Sequence, residues 1–74
     1  MYDFARQLVE KTEAGKERTI SLGSTEGIEL ERFQVLVVAL EKLETEGRIQ
    51  LLHKHQETQT GHRLVDLVKF RRLR

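Results

Sequence analysis

The chain has 74 residues, no cysteine, 38% hydrophobic residues and a formal net charge of +1. A chain of that length forms one domain, here residues 1–74, which buries only about 60% of the surface its unfolded form exposes and has no room for a second core or a deep substrate cavity. Without cysteine there are neither disulfide staples nor thiolate metal sites, so apolar packing, alone or shared with a second subunit, must supply the stability.

The first predicted element is a helix over Tyr2 to Ala14, with Asp3 as N-cap, Phe4, Leu8 and Val9 on one face, and Gly15 at the C′ position. Lys16 to Arg18 is a charged connector. Thr19 to Leu22, TISL, is short, alternating and partly β-branched, the pattern of a strand closed by Gly23. Gly23 to Leu30, GSTEGIEL, has two readings. In one, Ser24 caps a short helix that runs through Gly27 into the next; in the other, STEG is a turn and Ile28 to Leu30 pairs back on TISL.

From Glu31 the helical period is firmer, because Phe33, Leu36, Val37, Leu40 and Leu43 recur at steps of three and four while Glu41, Lys42, Glu44 and Glu46 fill the other side. Gly47 ends that helix. Val35, Val37 and Val38 widen its apolar face beyond the core stripe, a surplus that the strands could cover or a homodimer could use. Arg48 to Leu52 and Leu64 to Arg71 then alternate as two antiparallel strands around the polar QETQTG, whose lack of an Asn-Gly or Asp-Gly pair leaves the register open. The run Val35 to Leu40 is far shorter than the roughly 20 residues that span a bilayer, and MYDFARQLVEK lacks the apolar centre of a signal peptide. A cytoplasmic location is expected.

Charge is unevenly distributed along the chain. Residues 1–47 hold six Lys/Arg against ten Asp/Glu, a balance of −4, and residues 48–74 hold seven against two, a balance of +5. A basic end facing away from an acidic one steers toward phosphate, although short solvated strands also carry Lys and Arg on their outer face.

The closing ALEKLETEGRI of the long helix, with Ala39, Leu40, Leu43, Gly47 and Ile49 in an AL-x-x-L-x-x-x-G-x-I pattern, resembles the junction where the third helix of winged-helix domains enters the wing. The order helix, short strand, unclear element, long helix and two-stranded wing is also that family's, over roughly Ile20 to Phe70. The resemblance implies an α+β fold of two helices, a short strand and a C-terminal β-hairpin, with double-stranded DNA as partner. The chain departs from the family where GSTEGIEL barely accommodates a full second helix and carries a glycine inside it.

In that family the start of the third helix reads base edges in the major groove. The matching positions are Glu29, Glu31, Arg32, Gln34 and Val35, of which Arg32 and Gln34 are competent readers of guanine and adenine. Five acids against two bases from Glu29 to Glu46 give the helix a net −3. Most contact is therefore expected from the hairpin and tail, through Arg48, Lys54, Arg63, Lys69, Arg71 and Arg72, with Arg74 beyond them and Arg63 at the tip. No aromatic alternates with these bases before Phe70, which argues against a single-strand stacking platform.

His53, His55 and His62 form the one cluster with ligand character. A turn centred between Thr58 and Gln59 would set His55 opposite His62 with His53 on the same face, but a short hairpin offers little support for a metal, and solvent-facing or phosphate-facing imidazoles are the expectation. Neither metal nor cofactor is expected. Ser21 and Ser24 lack a nucleophile-elbow context and no phosphate-binding glycine motif occurs, so no enzyme is expected either. The leading expectation is a DNA-binding module, a transcriptional or mobile-element accessory regulator, with a homodimer as a further partner state. The rival is a protein-interaction module that docks a partner through the wide apolar helix and the exposed strands, with no nucleic-acid role.

Overall fold

A computed structural model describes residues 1–24 and 28–74. The chain is α+β: helix α1 (Tyr2–Glu10), strand β1 (Glu17–Ser21), a 3-10 turn (Leu22–Ser24), helix α2 (Leu30–Thr45) and the hairpin strands β2 (Ile49–Gln56) and β3 (Val65–Arg72). The strands form an antiparallel sheet in the order β1-β3-β2. No helix among the described residues is long and apolar enough to cross a membrane.

Helix α1 stops four residues before the predicted Ala14. Its last turn is held by Thr12, whose hydroxyl donates to the Leu8 carbonyl at 3.0 Å and whose N–H bonds Val9. The chain then has to turn to lay β1 beside β3. Gly15, at φ +82°, makes that turn rather than closing the helix, and donates to the Arg72 carbonyl at 2.7 Å while Arg72 donates back to Lys16. Met1, not Asp3, is the N-cap, and Asp3 lies in the first turn, where its charge complements the helix dipole. The buried pair is Ala5 and Val9; Phe4 is 37% exposed.

The buried face of α2 is the predicted one, Phe33, Leu36, Val37, Leu40 and Leu43, with Ala39 added. Val37 is thus core, while Val35 and Val38 are 53% and 63% exposed. Helix α2 ends in a Schellman closure: Arg48 N–H reaches the Leu43 carbonyl at 3.0 Å, Gly47 N–H reaches Glu44 at 2.9 Å, and Gly47 sits at φ +77°. This closure turns the chain straight into β2. Burying Ile49, Val68, Phe70 and Ile20 on one side of the sheet then seats α2 over it, with α1 packed against α2. Each of these side chains is worth about 1.5–3 kcal/mol when fully buried.

Residues 25–27 fall outside the described residues, so the two readings of Gly23 to Leu30 are tested only at their flanks. Gly23 and Ser24 belong to the 3-10 turn and Leu30 opens α2. Ile28 and Glu29 lie in neither strand nor helix and Leu30 is helical, so Ile28 to Leu30 does not pair back on TISL, and the described partner of β1 is β3, with Ile20 opposite Val68.

Candidate nucleic-acid interface

At the tip of the hairpin the sheet is locked to α2 by one side chain. The Gln34 amide donates to the Val65 carbonyl at 2.6 Å and accepts from Val65 N–H at 2.9 Å, and it also donates to the carbonyl of Leu30. Gln34 was expected to read adenine, but its donor and acceptor are both spent on this clip, so it leaves the list of base readers.

The loop beyond the clip is organised by Glu57, a buried acid. Its carboxylate accepts from the Thr60 hydroxyl, from Thr60 N–H at 2.9 Å and from Leu64 N–H at 3.3 Å. Those donors, the Thr60 hydroxyl first, hold its carboxyl below the usual value of 4.5. Sequence reasoning missed this role, although the E-x-x-T spacing inside QETQTG was a signal for it. Arg63 follows at φ 53°, exposed on the outside of the loop.

Arg32 lies two residues before Gln34, and Arg63 two residues before Val65. The clip therefore brings the start of α2 and the hairpin tip to one end of the domain. Both arginines are exposed and neither has an ion-pair partner among the described residues.

The other basic residues expected at the interface are dispersed, each with a partner of its own. Lys54 crosses to α2 and meets Glu41 at 3.3 Å. On the outer face of the sheet Lys69 bonds Glu17 at 3.1 Å, and Arg71, opposite Glu17 in the register, bonds the same carboxylate. The Arg71 hydrogen bond first, then Lys69, holds the Glu17 carboxyl below its usual value.

The far end of the domain has a cleft of about 530 Å³, lined by Arg6, Arg48, Arg72 and Arg74 with Glu10 and Glu46. Two of its arginines face the carbonyl ends of the helices. Arg72 donates to Glu10 O at 3.1 Å and Thr12 O at 2.7 Å, and Arg74 to Gly47 O at 3.3 Å. Arg72 was expected to contact phosphate; it instead supplies the cation that the last turn of α1 lacks. Arg48 pairs with Glu46 at 3.5 Å, and Glu46 also accepts from the Tyr2 hydroxyl at 2.8 Å, which raises the phenol above its usual value of 10.0.

The histidine trio does not assemble, because the register differs from a turn centred on Thr58 and Gln59. Two irregularities shift it, between Leu51 and His53 and between His55 and Gln56, so His53 faces Lys69 and His55 faces Leu67 while His62 stays in the loop. With its proton on Nδ1, His55 donates to Asp66 at 2.8 Å. No group of three or more potential metal ligands occurs among the described residues.

Phe70 is fully buried and gives no stacking surface. No family model, curated protein or solved structure gives a significant match to this chain.

Proposed function

We propose that this chain is a winged-helix-like DNA-binding module, a transcriptional or mobile-element accessory regulator, that touches duplex phosphates with the end where α2 begins and the hairpin turns. The observation that carries the reading is the joint placement of Arg32 and Arg63, the two cations at that end without acid partners among the described residues. The element order, with α2 passing through Gly47 into a two-stranded wing, supports it further.

Lys54 is exposed, Lys69 is half-buried, and both are paired; such surface pairs are worth roughly 0–1 kcal/mol, so a phosphate can replace the carboxylate at little cost. The acidic α2 contributes little inside a groove, since Glu29 and Glu31 repel phosphate beside Arg32. Binding should accordingly be weak in sequence preference and steep in salt.

Fluorescence anisotropy with a short duplex tests this. Arg32→Ala with Arg63→Ala should weaken binding at low salt and reduce the slope of log affinity against log salt by about two units, with the fold intact. Wild-type protein that binds no duplex at low salt overturns the reading.

The exposed Val35 and Val38, together with the dispersal of the other bases, favour a second reading, docking of a partner protein on α2. In that case the double arginine variant leaves function unchanged and Val38→Glu abolishes it.

A further inference from the structure

The outward stripe of α2 consists of Glu31, Val35, Val38 and Lys42, all exposed. Steps of four, three and four residues stack these side chains along one side of the helix, away from Phe33, Leu36 and Leu40, in the spacing of a two-helix seam. Two bare valines at its centre are the most exposed large apolar residues of the helix.

The stripe reads acid, apolar, apolar, base in one direction and the reverse in the other. Around a two-fold axis midway between Val35 and Val38, an antiparallel second α2 sets Val35 against the partner's Val38 and Glu31 against the partner's Lys42, each pairing occurring twice. Parallel pairing would set like charge on like charge at both ends. Lys42 is already held beside the seam, its ammonium 5.1 Å from the centre of the Tyr2 ring. Glu41, which bonds Lys54, is not needed.

We infer that α2 pairs antiparallel with α2 of a second copy of this chain, through Val35 and Val38 at the centre and Glu31–Lys42 ion pairs at each end. The seam meets the DNA-contacting end only at Glu31, and its test reads self-association without DNA, so the two readings can fail separately. Burying only two valines per protomer makes this a concentration-dependent, readily reversible dimer.

Sedimentation equilibrium tests it, with circular dichroism confirming that each variant is folded. Wild type should show a monomer–dimer equilibrium, and Val38→Glu should be monomeric. Glu31→Lys and Lys42→Glu should each weaken the dimer by roughly tenfold, and the two together should restore it. Because the chain has no cysteine of its own, mild oxidation of mixed Val35→Cys and Val38→Cys protomers reads the register directly, and the mixed cross-link should exceed either self-cross-link. Wild type that stays monomeric to about 1 mM overturns the inference and leaves the stripe to some other partner. So does a dimer that survives Val38→Glu, a charge swap without rescue, or preferential self-cross-linking at Val35.

Discussion

The two ends of this domain use the same residue type for opposite ends of the chemistry. In the cleft, Arg72 and Arg74 turn inward onto the carbonyls of Glu10, Thr12 and Gly47, where the helices expose their negative termini. At the hairpin tip the backbone is satisfied by uncharged or acidic groups, Gln34 on Val65 and Glu57 on Thr60 and Leu64. Arg32 and Arg63 are thereby left to solvent. What makes an arginine structural or available is which backbone groups its neighbourhood leaves unsatisfied.

Both ends hang on one core, so Leu40→Ala is the strongest way to break the contrast. It removes a fully buried side chain, at a cost of about 2–5 kcal/mol. A core of this size supplies only about 3–5 kcal/mol, so thermal melting should show the domain unfolded or nearly so. A midpoint shifted by a degree or two would show Leu40 to be peripheral. Next come the two locks. Gln34→Ala strands the N–H and C=O of Val65 and should cost about 1–3 kcal/mol in urea unfolding, and Arg72→Ala about 1–2 kcal/mol for the lost cation at the end of α1. If either proves silent, the distinction between structural and available side chains fails at that end.

Acid titration separates the ends more finely. A carboxyl whose value is lowered by folding adds stability that is complete above its unfolded value, about 4.5 for Glu57, and is lost as pH falls through the folded value. Wild type should therefore exceed Glu57→Gln in stability at neutral pH, and the gap should close below about pH 4.5. Glu17→Gln should show the same closing gap, but salt should erase it, because Glu17 faces cations while Glu57 faces uncharged donors. The smallest effect is expected from Arg63→Gly. Glycine relieves the positive φ, so stability should rise by less than about 1 kcal/mol while duplex binding falls.

The elements built on local rules were legible in the sequence. The α2 stripe follows from its apolar period, the closure at Gly47 from the need for a left-handed residue, and the hairpin from its alternation. The end of α1 was not legible, because it is set by Arg72, some 60 residues away, and by the demand that Gly15 turn β1 onto β3. The bulges that displace the histidines were hidden for a related reason: a polar loop without a tight-turn pair leaves the register to tertiary contacts. At the candidate site the sequence supplied the inventory of cations but not their partners. Lys54 meets Glu41 across 13 positions and Arg71 meets Glu17 across 54, distances at which no pattern in the chain announces a pair.

The Gln34 clip also bears on how the protein behaves at high concentration. Strand β3 begins at Val65, whereas its last partner on β1 is Ser21 opposite Leu67, so β3 outruns β1 by two residues at the tip. A peptide group left bare there is a template on which another chain can add a strand, the usual seed of edge-to-edge aggregation. The Gln34 amide, with one donor and one acceptor in peptide-like geometry, fills that slot from within the molecule. Its loss would thus lower solubility as well as stability, through sheet growth between molecules.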